Sequence, residues 1–149
     1  MSQRGGSVVT YVRYGEKVNS PIIDKGGADI ILAFEELEAL RALPFLKKDG
    51  KIIVNTQNID PMPVITGAAK YPEHIVDSLK NTGADVTAVD ALDLAIKAGN
   101  MKSVNVVLIG VMARNTAINE SVWKETIKNT VPEKFLEANL KAFELGYNS

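Results

Sequence analysis

Two short apolar runs with a helix-like stretch between them constrain this chain more than any other feature. Ala28-Asp-Ile-Ile-Leu-Ala-Phe34 and Lys51-Ile-Ile-Val-Asn-Thr56 lack the polar alternation of a strand with one wet face. Such runs are read as strands covered on both sides. Between them, over 35–47, Leu37, Leu40, Leu43 and Leu46 recur at every third position with charges interleaved. That stripe predicts an amphipathic helix, kinked or ended by Pro44. Strand, helix and strand in this order make a crossover between parallel neighbours. A third strand is predicted over 84–89. The helix before it, over 72–81, has Pro72 in its first turn and Gly83 past its end. Asp90, with Asp93 following, caps the next helix, which ends at Gly99.

The remaining C-terminal stretch reads as helical. Met101, Val104, Leu108, Val111 and Met112 fit a buried helix over 104–114, in which Asn105 calls for a buried hydrogen-bond partner. Asn119 is the N-cap of a helix reaching about 129. Pro132 opens a last helix with Phe135, Leu136, Leu140 and Phe143 on one face and Gly146 as its stop. At the other end, the β-branched and aromatic residues of 7–14 predict a strand, followed by a turn-like stretch over 15–20. Asp49-Gly50 signals a turn. The segment 57–72 holds Pro61, Pro63 and Pro72 without helical period, and a loop of that length in a compact domain is usually functional or interfacial. The pattern is that of an α/β domain: a mostly parallel sheet, helices on both faces and a helical C-terminal third. At 149 residues the chain is expected to be a single domain.

Composition excludes several functions. Lys and Arg number 17 against 18 Asp and Glu, so the basic surplus of a nucleic-acid binder is missing. Mean hydropathy is +0.01 and 46% of residues are hydrophobic, which excludes a disordered chain. No apolar run approaches the roughly 20 residues needed to span a bilayer. The start, Met-Ser-Gln-Arg-Gly-Gly, has no apolar core of a signal peptide, so the expected location is cytoplasmic. The cysteine count is zero. This chain therefore offers no disulfide, no thiolate zinc site and no thiolate-held iron–sulfur cluster. Its single histidine, His74, excludes paired-histidine metal sites and is expected to be solvated. Phosphate-loop, dinucleotide-binding, nucleophile-elbow and zinc-protease motifs are absent.

Two candidate binding clusters remain. In open α/β sheets, ligands sit outside the carboxyl ends of the strands, where Phe34-Glu35 and Asn55-Thr56 fall. Glu35 reads more simply as an acid favouring its helix N-terminus, and Asn55 equally as a turn former. The second cluster is Gln3-Arg4-Gly5-Gly6-Ser7. Two glycines free consecutive amides to turn toward an anion, Ser7 adds a hydroxyl, and Arg4 supplies a planar donor for phosphate or carboxylate. An ordered lead-in to a strand would explain the same residues. Trp123 reads as core or interface.

The order of segments resembles a known family. Met1-Ser-Gln-Arg-Gly-Gly-Ser-Val-Val, Ser20-Pro21, Ala28-Asp-Ile-Ile-Leu-Ala-Phe-Glu and Leu37-Glu-Ala-Leu-Arg-Ala-Leu-Pro44 are similar to the gamma-type subunit of 2-oxoacid:ferredoxin oxidoreductases. Val54-Asn-Thr-Gln57, Ala68-Ala-Lys-Tyr-Pro72, Val104-Asn-Val-Val-Leu-Ile-Gly110 and Asn139-Leu-Lys-Ala-Phe-Glu-Leu-Gly146 continue the likeness. Its nearest branch is the beta subunit of indolepyruvate ferredoxin oxidoreductase.

The resemblance implies a Rossmann-like module in an oligomeric enzyme. That enzyme converts an aryl 2-oxoacid and coenzyme A to acyl-CoA and carbon dioxide, and passes electrons to ferredoxin. Thiamine diphosphate and the iron–sulfur clusters are expected in the partner alpha subunit, through which ferredoxin is reached. This chain holds no cofactor alone and is not catalytic alone; it meets coenzyme A as a co-substrate. The implied binding residues are Gln3, Arg4, Gly5, Gly6, Ser7, Asn55 and Thr56. The family's opening strand, G-x-G-G-Q-G turn, helix and second strand have no counterpart here, which implies a chain shortened at its N-terminus. A second reading, from a different class, is a stand-alone nucleotide- or coenzyme A-binding or scaffold domain without oxidoreductase activity.

Overall fold

Residue alternation along one central strand organises the fold. The computed structural model describes residues 8–149. Strands β1 (Ala28–Ala33), β2 (Leu46–Asn55) and β3 (Asp85–Val89) form a three-stranded sheet in the order β1-β2-β3, with both pairs parallel. In β2, Ile52, Ile53 and Val54 are all fully buried. Successive strand side chains point to opposite faces, so full burial of three in a row requires cover on both. Ile52 and Val54 pack with Ile31, Ala33, Ala39, Ile75 and Leu79 beneath α1 (Glu36–Ala42) and α3 (Ile75–Asn81). Ile53 faces the other way, with Val89, Val107, Leu108, Val111 and Phe143. The cover there is α4 (Ala91–Ala98), α5 (Val104–Arg114), α6 (Glu120–Thr130) and α7 (Glu133–Tyr147). The expected parallel sheet with helices on both faces and a helical C-terminal third is therefore present.

Several boundaries differ from the expectation for local physical reasons. The strand predicted over 7–14 is absent from the described part of that range: 8–14 is irregular and exposed. β-branched residues favour a strand only where a neighbour supplies the ladder. Here the Arg13 guanidinium instead donates to the carbonyls of Ser20 (3.2 Å) and Ile22 (2.9 Å). The helix after β1 begins with Glu35 as its N-cap and tightens into a 3-10 turn over Leu43–Phe45. Pro44 sits inside that turn.

Asp49-Gly50 does not end an element but lies within β2, where the register jumps. Between the pairs Ala28–Leu46 and Ile30–Lys51, β1 advances two residues and β2 five. Asp49 takes a left-handed conformation (φ 63°) to make this possible. The loop after β2 contains one helical turn, α2 (Met62–Ile65). α3 starts beyond Pro72, after His74 in the left-handed region; His74 itself is exposed, beside Asp77.

The C-terminal helices bring two further corrections. Asn105 is exposed rather than buried. Gly146 does not stop α7: it lies inside the helix where α5 crosses it. A Cβ at Gly146 would collide with the Val107 carbonyl, and one at Gly110 with the Phe143 carbonyl. The two glycines let the helix backbones touch. Among the described residues no helix is long and apolar enough to cross a membrane.

Candidate functional site

Three strand ends meet at the carboxyl rim, and Asn55 joins them. This side chain is fully buried. Its amide nitrogen donates to the Phe34 carbonyl (3.1 Å), at the end of β1, and to Gln57 Oε1 (3.4 Å). Its carbonyl oxygen accepts from the Ala91 backbone N–H (3.0 Å), the first residue of α4. The Thr56 N–H donates to the Val89 carbonyl (3.0 Å), extending the tie to β3. A buried amide with its donors and its acceptor engaged is a fastener. Asn55 therefore positions the rim from within, while Thr56 next to it is exposed.

Glu35 performs a second joining role. It is 6% exposed, an unusual burial for a carboxylate. One oxygen caps α1 by accepting from the Glu38 N–H (3.0 Å). The other accepts from the Ile59 N–H (3.4 Å) and from the Tyr71 hydroxyl. Three acceptances from three segments offset the desolvation of the carboxylate. They also fasten both ends of the long loop after β2 to the end of β1. Burial, the hydrogen bond to Glu35 and the adjacent negative charge push the Tyr71 phenol well above its usual range. Burial and the charge of Glu35 raise the Glu36 carboxyl. Asp90 caps α4 by accepting from the Asp93 N–H (2.9 Å), as the sequence predicts.

The structure brings Asn55 and Thr56 together with Glu35 at one rim. Gln3, Arg4, Gly5, Gly6 and Ser7 lie outside the described residues. Sequence reasoning placed Glu35 at the rim, as an acid at a helix N-terminus, but did not foresee its side-chain cap and missed Tyr71. A tyrosine near the end of a proline-rich loop carries no periodic signal, and its partner lies 36 positions away. Among the described residues no group of three or more His, Asp or Glu could hold a metal ion. With no cysteine anywhere in the sequence, the donor set does not fit an iron–sulfur cluster. The rim presents backbone, a threonine hydroxyl and the half-exposed Phe34 rather than a nucleophile beside a base.

The family described as pyruvate ferredoxin/flavodoxin oxidoreductase matches residues 1–149. The chain belongs to that family. Indolepyruvate oxidoreductase subunit IorB of Thermococcus kodakarensis is 43% identical over 153 aligned positions, covering 98% of this chain and 75% of that one. The IorB subunit of Archaeoglobus fulgidus is 41% identical, covering 99% and 75%. The common gamma subunit of pyruvate/ketoisovalerate oxidoreductases of Thermococcus litoralis is 26% identical over 149 positions. Among solved structures, the gamma subunit of a keto/oxoacid ferredoxin oxidoreductase from Geobacter sulfurreducens superimposes with a TM-score of 0.61. It is 23% identical and matches 85% of this chain but 66% of its own length, and carries the fold alone. The resemblance read from the sequence holds: as a family member, this chain is a subunit of the 2-oxoacid ferredoxin oxidoreductase type.

Proposed function

We propose that this chain is the subunit without a redox centre in a thiamine-dependent oxidoreductase acting on indolepyruvate or a related aryl 2-oxoacid. Together with an alpha subunit it forms acyl-CoA and carbon dioxide, with ferredoxin taking the electrons. The observation that carries this reading is the 43% identity to an indolepyruvate oxidoreductase subunit across nearly the whole chain. The absence of cysteine supports the division of labour, because the electron carriers then belong to the partner. In this reading residues 1–149 form one gamma-type domain of a cytoplasmic oligomer. Coenzyme A is met by Gln3, Arg4, Gly5, Gly6 and Ser7, with Thr56 on the rim. Asn55 acts there by holding Thr56 in place. An arginine beside two glycines suits a phosphate-bearing ligand.

The test is reconstitution. The alpha subunit of the same enzyme, purified with its thiamine diphosphate and clusters, is assayed with indolepyruvate, coenzyme A and ferredoxin, with and without this chain. Ferredoxin reduction should need both chains, and this chain alone should be colourless and inactive. Full activity of the alpha subunit alone, or an iron-containing brown preparation of this chain, would overturn the reading. Arg4→Ala should raise the KM for coenzyme A with the melting temperature unchanged.

A further inference from the structure

Residues 59–71, in the loop between β2 and α3, are bonded well among themselves and lightly to the rest of the chain. The Val64 and Ile65 N–H groups donate to the Pro61 carbonyl (2.8 and 3.1 Å). Thr66 N–H donates to the Met62 carbonyl (2.9 Å), Gly67 N–H to Val64 (3.0 Å) and Ala69 N–H to Pro63 (2.9 Å). Pro61 and Pro63 restrict the backbone further. Yet none of these residues is buried, and Tyr71 alone among them packs against either core. Among the described residues, two hydrogen bonds tie the segment to the rest of the chain, from the Ile59 N–H and from the Tyr71 hydroxyl. Both end on one atom, Oε1 of Glu35. The Ile59 bond, at 3.4 Å, is long and therefore weak, so the hold on the segment reduces to the Tyr71 side chain.

Self-supporting segments with few buried apolar contacts are the ones that open locally, ahead of the fold as a whole. The flanks here are fixed: Thr56 N–H is bonded to the Val89 carbonyl, Gln57 accepts from Asn55, and Ile75 at the start of α3 is buried. Movement then falls to Asn58 on one side and to 72–74 on the other, where His74 already holds a left-handed φ of 56°. We propose that residues 59–71 are a lid that swings as one body, with Tyr71 as its latch, and that opening bares the Glu35 carboxylate at the rim. The lid does not depend on the proposed function. The two oxygens of Glu35 divide the work: Oε1 serves the lid, while Oε2 caps α1 through the Glu38 N–H (3.0 Å). Opening therefore frees Oε1 and leaves α1 capped. The open rim offers an acceptor to a ligand's N–H or O–H donor; the closed rim, with Glu35 only 6% exposed, does not.

The experiment uses the absence of cysteine, which lets spin labels be attached at chosen positions. Met62→Cys in the lid and Ile96→Cys on α4, both at exposed positions, each carry a nitroxide. Their separation is read by pulsed electron paramagnetic resonance, with Tyr71 in place and with Tyr71→Phe added. Tyr71→Phe should populate a second, discrete separation about tenfold or more above its level in the latched chain. Carbodiimide coupling of an amine to carboxylates, located by mass spectrometry, should label Glu35 about tenfold faster in Tyr71→Phe than in wild type. The exposed Asp60 should label equally in both. Glu35→Gln, left with one acceptor for cap and latch together, should shift the separations in the same direction and serves if Tyr71→Phe fails to fold. Circular dichroism establishes that each variant is folded. Unchanged separations in the folded variants overturn the lid. A broad smear in place of a second separation overturns it too, because the segment then melts and does not swing. Unchanged labelling of Glu35 overturns the claim that opening bares the carboxylate.

Discussion

Tyr71 shows how one hydroxyl can give a loop its shape. Its donation to Glu35 satisfies a buried carboxylate that would otherwise keep only backbone donors. Tyr71→Phe should therefore cost about 1–2 kcal/mol in a denaturation titration. The sign of its pH dependence follows from its raised phenol. Where the folded value exceeds the unfolded one, the stabilisation is complete below the ordinary phenol value of about 10 and is lost as pH rises through the raised value. Wild-type stability should thus decline in strongly alkaline solution, and Tyr71→Phe should flatten that decline. A decline of equal slope in the variant would show that other groups cause it. Neither Tyr71 nor the fastening role of Asn55 was legible in the sequence. Both depend on partners more than 30 positions away, beyond the reach of periodicity or turn chemistry.

Helices and strands tell the opposite story wherever local chemistry decides. The caps at Asp90 and Asn119 formed where their side chains and the following apolar periodicity placed them. The buried runs became β1 and β2 because unalternating apolar residues need two covered faces. The misread elements are those whose fate lies with a neighbour. The segment over 8–14 has strand composition but no ladder partner, and Gly146 resembles a helix stop but serves a helix crossing. That crossing is open to a direct test. Gly146→Ala drives a methyl into the Val107 carbonyl, so α5 and α7 must separate. The expected destabilisation is about 1–3 kcal/mol, read as a lower urea midpoint. Gly83→Ala makes a useful comparison. Its Cβ meets nothing within 4 Å, but its φ of 83° leaves backbone strain, so a cost of only about 1 kcal/mol is expected. Equal effects in the two variants would mean that the helix seam is not tightly packed.

Over the whole molecule, apolar surface is distributed unevenly. The face beneath α4 to α7 holds the larger core, whereas Val9, Val12, Tyr14 and Ile22 of the N-terminal segment stand in water. Among the described residues, β1 and β3 are the outer strands of a three-stranded sheet. Exposed apolar residues and unpaired sheet edges each favour association with other chains. Light scattering on the isolated chain should show a mass that rises with protein concentration. A constant monomer mass at high concentration would show that the C-terminal helices suffice to keep the chain apart. The layer order and parallel sheet could be read from sequence, because they follow from which runs must be buried. The rim could be located only in part. Its address at the strand ends follows from topology, but its fasteners appear only once the chain is folded.

The Asn55 side chain has a further consequence for how the molecule comes apart. The first amide of α4 is held by a residue of the central strand and not by its own helix. Helix ends ordinarily fray on their own, at little cost. Here the opening of that turn must break a link to the most deeply buried strand, whose amide group also grips the end of β1. Opening at this corner is thereby coupled to β1 and β2, and the Ala91 amide should exchange with solvent more slowly than an ordinary first-turn amide.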